Sequence, residues 1–232
     1  MPFLYGNRQI VTPGDLLAEG DFLAGFNTYR HDEKIFASRL GLVELGGKKI
    51  DVVALNTFYI PSVGDLVIGK IVEVNLHGWT ADINSPYPAI LRTPEALNRP
   101  FRPQQDELTE FLSVGDMILA KVISFDRTRD PNLTIHEQDL GKIRFGQIVR
   151  VSPAKIPRII GRKGSMIGML KKETRCNIIV GQNGLVYVSS RNREDEKIAI
   201  LAIKKIEEEA HTSGLTDRVT DMIRKERGEV TQ

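Results

Sequence analysis

Residues 156–174 read IPRIIGRKGSMIGMLKKET, and this stretch decides the fold. It predicts a short helix, a four-residue turn and a second helix. The turn is Gly161-Arg162-Lys163-Gly164. Its two glycines let the backbone turn tightly and approach a partner with no Cβ in the way. Its two central residues are basic, and the second helix then opens with free backbone N–H groups and the positive end of its dipole. That combination suits a phosphate backbone lying across the turn. Lys155 and Arg158 add charge beside it, and Ile159, Ile160 and Ile167 can form an apolar groove where unstacked bases would sit.

Two glycines three apart are a weak signal, and the chain supplies its own control. Gly181-Gln182-Asn183-Gly184 has the same spacing but lies between two β-type runs, 177–180 and 185–189, and contains Asn-Gly. A hairpin turn is the better reading there. The first turn differs in its helical flanks and in its charge. Residues 153–177 carry seven basic side chains and one acid, a net of +6, whereas 191–209 carries five basic and six acidic, a net of −1. The whole chain is only +2, so the excess charge is local to the turn. Charge, glycine turn and isoleucines coincide, which favours single-stranded RNA over an ordinary solvated surface.

The rest of the composition sets bounds. The chain has 232 residues, 41% hydrophobic and 27% charged, which is material for one to three globular domains. A near-neutral balance excludes a wholly polycationic binder, so any nucleic-acid surface must be a patch. Cys176 is the only cysteine, so no internal disulfide and no Cys-based zinc site can form. No apolar stretch approaches a membrane span, and MPFLYGNRQI at the start lacks the basic run and apolar core of a secretory signal. We expect a cytoplasmic protein without membrane association.

The residues ahead of the turn are β-rich. Segment 1–60 has short extended runs at 8–11, 22–26, 35–40, 42–45 and 50–55, with Thr12-Pro13-Gly14-Asp15 as a turn and Gly46-Gly47 as a hairpin turn. Segment 61–142 repeats a pattern, VGDLVIGKI at 63–71 and VGDMILAKV at 114–122. Each is a Gly-Asp turn feeding an apolar strand, with Lys70 or Lys121 six places after the glycine. Strand candidates at 79–83, 89–91 and 133–136 bring the total to five, which predicts an OB-type barrel. Such barrels offer aromatics for base stacking and basic side chains for the backbone. Trp79, the only tryptophan, stands beside His77 and is either a stacking platform or a core residue. Residues 92–103 carry Arg92, Arg99, Arg102 and three prolines, which argues for an exposed loop. A second basic loop holds Arg127 and Arg129. The candidate barrel contacts are thus His77, Trp79, Arg92, Arg99, Lys121, Arg127 and Arg129.

Segment 143–212 reads as a strand at 146–152, the helix–turn–helix, two strands around Asn183-Gly184, and a helix over 192–210. Asn192 is its N-cap, and Ile198, Leu201, Ala202 and Ile206 form its buried stripe. The order β-α-α-β-β-α is that of a type I KH domain, the module that clamps about four nucleotides with a GxxG loop. Residues 213–232 add a shorter amphipathic helix and a loose tail.

The inventory for catalysis is thin. His31, His77, His136 and His211 show no metal-ligand spacing with one another, with Cys176 or with a carboxylate. Neither a GxxxxGK[ST] phosphate loop nor a GxSxG nucleophile turn occurs. Asp15, Asp65 and Asp116 each follow a turn glycine and read as strand-start residues. We expect no catalytic residue, metal or cofactor.

Four pieces carry a resemblance: IVTPGDLL at 10–17, YIPSVGDLVIGKI at 59–71, WTADINSP at 79–86 and IPRIIGRKGSM at 156–166. With these in this order, the chain resembles the S1/KH cap subunits of the archaeal RNA-degrading exosome over nearly its whole length. The resemblance implies a multidomain fold: a β-rich N-terminal domain (1–60) that docks on a ring, an S1 OB-type β-barrel (61–142), an α+β type I KH domain (143–212), and a C-terminal helix and tail (213–232). It also implies a non-catalytic subunit. Three copies would sit on a hexameric ring of RNase PH-like subunits and feed it single-stranded RNA for degradation or tailing. The zinc-ribbon paralogue of that cap needs more cysteines than this chain has, and the KH–S1 tail of bacterial polynucleotide phosphorylase has the opposite domain order. A free-standing S1/KH RNA-binding factor in transcription or translation is the alternative. A ribonuclease acting alone is the rival from another class.

Overall fold

The computed structural model describes residues 4–55, 58–97, 99, 102, 107–126, 128–210, 212 and 214–228. The chain divides into two compact units, Met1–Thr57 and Phe58–Gln232.

The first unit is built from short strands: β1 (Ile10–Val11), β2 (Leu16–Glu19), β3 (Leu23–Ala24), β4 (Thr28–His31), β5 (Lys34–Ala37), β6 (Gly41–Gly46) and β7 (Lys49–Ala54). They form two sheets, ordered β1-β6-β7-β3 and β2-β5-β4. Strands expose alternate side chains, and the inward ones, Val11, Leu17, Ile35, Val43, Ile50 and Val52, make the core. β6 and β7 join through the glycine turn as expected, with Gly46 opposite Lys49 and Gly47 at φ +67°. Two strands lie outside the predicted runs. β2 starts directly on the turn aspartate, and β4 is exposed along almost its whole length, so it carries no apolar run.

The second unit opens with a barrel of β8 (Leu66–Asn75), β9 (Gly78–Asp82), β10 (Ala89–Arg92), β11 (Met117–Asp126) and β12 (Arg129–Thr134). The circuit runs β8-β9-β10-β12-β11 and back to β8; β10–β12 is parallel and the other pairs are antiparallel. This is the closed five-stranded OB-type barrel. Val67, Ile71, Trp79, Leu91, Ile118 and Leu133 fill it.

The repeated VGD segments are neighbours in this circuit. Leu66 lies opposite Lys121 and Lys70 opposite Met117. Gly64 donates its N–H to Val122 O, and Gly115 donates to Ile71 O, each at 2.8 Å, so a local two-fold relates the segments. Asp65 accepts the Ser62 N–H at 3.0 Å and Asp116 accepts the Ser113 N–H at 2.8 Å. Asp15 repeats the bond with Thr12 at 2.7 Å in the first unit. The glycines before these aspartates have φ of +92°, +94° and +97°. The three carboxylates are turn locks, as the sequence suggests.

The predicted exposed loop after β10 differs at its start. Helical turn α1 (Thr93–Ala96) follows directly, tied by Thr93 N–H to His77 O at 3.0 Å, and Leu97 is buried. Pro100 and Pro103 lie outside the described residues. A second turn, α2 (Leu108–Phe111), leads into β11.

β13 (Gly141–Ile143) adds to β11 beyond the barrel. Then come β14 (Gln147–Arg150), α3 (Ile156–Ile160), α4 (Ser165–Thr174), β15 (Asn177–Val180), β16 (Leu185–Ser189), α5 (Arg193–Glu208) and α6 (Leu215–Glu226). The strands make an antiparallel sheet ordered β14-β16-β15. This is the expected KH order with one helix appended. Val149, Ile178, Val186 and Val188 face the helices, while Ile148, Ile179, Leu185 and Tyr187 face the barrel and meet its Ile68 and Leu119. Asn192 caps α5 by accepting the Glu194 N–H at 3.0 Å. One expected core residue of α5 is misplaced: Leu201 is 48% exposed. The buried stripe is Ile198, Ala199, Ala202, Ile203 and Ile206. At about 100° per residue, Leu201 falls roughly 130° from its centre.

Barrel and sheet are joined by the second glycine turn. It is the hairpin turn expected, but Asn183 is fully buried against the barrel. Its Nδ2 donates to Ile68 O at 2.6 Å and Ile83 O at 2.8 Å, and its own carbonyl accepts from Asn84 Nδ2 at 2.7 Å. Arg150 closes the seam on Asn84 Oδ1. Among the described residues, no helix is long and apolar enough to cross a membrane.

Candidate nucleic-acid interface

The corner between α3 and α4 is set by its glycines. Pro157 in the first turn of α3 fits the fixed φ of a helix start. The helix stops at Gly161, with φ +74° and its N–H on Pro157 O at 2.9 Å. A Cβ on Gly161 would stand 2.7 Å from the Met166 nitrogen, so any side chain there forces the corner open. At Gly164, φ +78°, a Cβ would only touch Ile167 Cγ2 at 3.8 Å, an ordinary contact, so the glycine is needed for its conformation instead. Between them Lys163 also takes a left-handed φ, +51°. Gly164 forms the N-cap of α4 without a side-chain cap, so the first amides of α4 keep no side-chain acceptor.

Arg162 and Lys163 are exposed and have no ion-pair or hydrogen-bond partner among the described residues. The other predicted contacts divide. Ile160 and Ile167 are half-buried beside the corner, but Ile159 is 0% exposed. Ile159 is therefore corrected from groove to core: it lies in the buried cluster of the KH domain. Arg158 donates to Thr212 O at 2.8 Å, which holds it against the segment after α5. Lys155 is half-buried and also engaged.

On the barrel, the choice left open for Trp79 resolves. Its ring is 1% exposed and its indole N–H donates to Leu112 O at 2.8 Å, so it is a core residue and offers no face to a base. It backs a cavity of about 360 Å³ that brings His77 and Arg92 together with Asn75, Thr80 and Ile90. The remaining barrel candidates do not converge there. Arg99 lies over the Phe111 ring at 5.6 Å. Lys121 pairs with Glu137 at 2.7 Å. Arg129 stands near Asp126, whose carboxyl is held below its usual range by the Thr128 backbone N–H and hydroxyl and by that arginine. Arg127 lies outside the described residues.

Among the described residues no three His, Cys, Asp or Glu side chains gather to hold a metal. Burial pushes the Cys176 thiol up, away from a reactive thiolate. Asn183 is the structural residue that the sequence reading missed. Its partners lie about a hundred positions away, and only its unusual place between two doubly apolar strands could have flagged it.

Three family models match successive segments of the chain. The model for the N-terminal domain of the exosome RNA-binding protein RRP4 matches residues 8–56, the RRP4 S1 domain model matches 58–124, and a KH domain model matches 146–194. The exosome complex component Rrp4 of Pyrococcus furiosus is 44% identical over 219 residues, covering 94% of this chain and 83% of that one. Its counterpart in Thermococcus kodakarensis is 45% identical over 218 residues, covering 93% and 85%. That of Methanothermus fervidus is 44% identical over 216 residues, covering 93% and 95%. A crystal structure of an exosome complex RNA-binding protein superposes with a TM-score of 0.71 at 48% identity, covering 75% of this chain and 99% of that one.

Proposed function

The chain belongs to the Rrp4 family of exosome RNA-binding components, and from that premise we propose that it is a non-catalytic cap. In this reading it captures single-stranded RNA in the cytoplasm and passes it to a ring of RNase PH-like subunits for 3′–5′ degradation or tailing. Three copies stand on each ring. The observation that carries the RNA half is the α3–α4 corner: two unpaired cations on a glycine backbone, beside an uncapped helix start. Gly161, Arg162, Lys163 and Gly164 hold the sugar-phosphate chain, and Ile160 shelters a base. The barrel cavity at His77 and Arg92 supplies a second contact. Several weak surfaces held together raise effective concentration and overall affinity.

The ring half is supported by the first unit. Ile10, Leu42 and Val53 form one row across β1, β6 and β7, and Ile10 is 60% and Val53 50% exposed. Phe26 and Leu23 are also exposed. Grouped apolar residues of this kind suit burial against another protein.

Two measurements test the reading. Arg162→Ala with Lys163→Ala is expected to weaken single-stranded RNA binding about tenfold while the complex still assembles; unchanged affinity counts against the corner. Native mass measurement of the complex from its own cell is expected to show 1:1:1 stoichiometry with two ring proteins. A lone monomer would favour the free-standing RNA-binding factor.

A further inference from the structure

α4 starts at the proposed phosphate corner and ends about 15 Å away, beside a second surface that the corner does not use. There Phe145, in the link between barrel and KH sheet, is 72% exposed. It stands on the rim shared by two adjoining cavities of about 460 and 570 Å³, sizes typical of ligand sites. Arg144 and Lys171 edge the first, which lies at the seam of barrel and sheet. Arg175 and Arg191 edge the second.

The charge around this ring is not neutralised. Arg144, Lys171, Arg175 and Arg191 have no ion-pair or hydrogen-bond partner among the described residues. Two neighbouring charges are already spent: Lys142 sits 2.5 Å from Asp116, and Asp195 sits 2.6 Å from Arg227. Asp139, on the first cavity, is the remaining carboxylate without an ion-pair partner. A bare aromatic face with unpaired cations on either side is the pattern of a single-strand contact, in which a base stacks and its flanking phosphates are neutralised. Phenylalanine and arginine are common at protein interfaces too, but four unpaired cations against one carboxylate leave a positive excess that a phosphate chain neutralises directly. The way between the two surfaces is open. Ser165, Gly168 and Lys172 share one exposed line on α4, and a Cβ on Gly168 would meet nothing within 4 Å.

We propose that Phe145, with Arg144, Lys171, Arg175 and Arg191, is a further nucleic-acid contact, distinct from the corner and from the barrel cavity, on which a base stacks after the strand leaves the glycine corner. The proposal rests on the RNA reading of that corner for the path, but not for the contact itself. Stacking on phenylalanine is tolerant of base identity, so the contact adds affinity without sequence preference.

The test uses the full chain and fluorescence anisotropy with 4-nucleotide and 12-nucleotide oligouridines, together with photo-crosslinking of a 4-thiouridine 12-mer. Phe145→Ala with Arg175→Ala is expected to weaken the 12-mer about tenfold, leave the 4-mer and the melting temperature unchanged, and abolish a crosslink at residue 145. A 12-mer affinity within twofold of wild type overturns the proposal. So does a lowered melting temperature with intact RNA affinity, which would make Arg175 only a compensator of the α4 dipole. Loss of a protein from the native complex with intact RNA affinity overturns it as well. The corner variant run in parallel separates the readings: if it leaves the 4-mer unchanged, the corner fails while the Phe145 result stands.

Discussion

Asn183 shows how much one side chain can decide. In the sequence it is half of an Asn-Gly hairpin turn, and it does form that turn. Its amide, however, is spent on the barrel, satisfying two carbonyls that would otherwise be buried without a donor. Asn183→Ala strands both acceptors and should cost about 2–4 kcal/mol. Urea denaturation checks this, and Asn183→Asp should do no better because a carboxylate cannot donate to either carbonyl. A midpoint equal to wild type for both variants would show that the seam rests on its apolar contacts alone. Trp79 and Ile159 teach the complementary lesson. Residue type made each a plausible RNA contact, but burial depends on partners far along the chain, and Leu112 O, which takes the Trp79 indole N–H, lies 33 positions away. The corner itself was legible because its information is local: glycines, charge and helix ends lie within a few residues.

The Gly-Asp turn is the element used three times, and its chemistry predicts a pH response. The backbone N–H of Thr12 holds the Asp15 carboxyl below its usual range. For Asp116, burial pushes the carboxyl up, but the Lys142 ammonium and the Ser113 N–H outweigh it, so the net shift is downward. A carboxyl that is more acidic folded than unfolded binds fewer protons in the native state. Its contribution is present above the unfolded value of about 3.9 and is lost as pH falls through the folded value. The denaturation midpoint should therefore drop between pH 5 and pH 3, and less steeply in Asp116→Asn. Parallel profiles for the two proteins would assign the acid loss to other groups. The repeated VGD motif gave both strands away, since the turn announces where a strand begins. β4 had no such announcement and no apolar alternation, and β13 is only three residues long, so neither could be read.

At the scale of the molecule, the S1 barrel and the KH domain that the sequence suggested pack together into one compact unit, Phe58–Gln232. The sign was present in β16, LVYVS, which is apolar on both faces and so must be covered twice. Period-two reasoning recognises such a strand but cannot say which neighbour covers the second face; the barrel does. A consequence is that the proposed corner and the barrel cavity are displayed together by one body, and RNA binding should behave as one multi-phosphate event. For a single strand, the logarithm of affinity falls with the logarithm of salt by about 0.7 per phosphate neutralised. If Arg162 and Lys163 each hold a phosphate, removing both should lower that slope by about 1.4, while affinity extrapolated to high salt changes little. Anisotropy titrations of a 12-mer across a salt series read both quantities. A variant with weakened binding but an unchanged slope would mean that the two cations act by shaping the corner, and the phosphate contact would then have to be sought elsewhere on the same face.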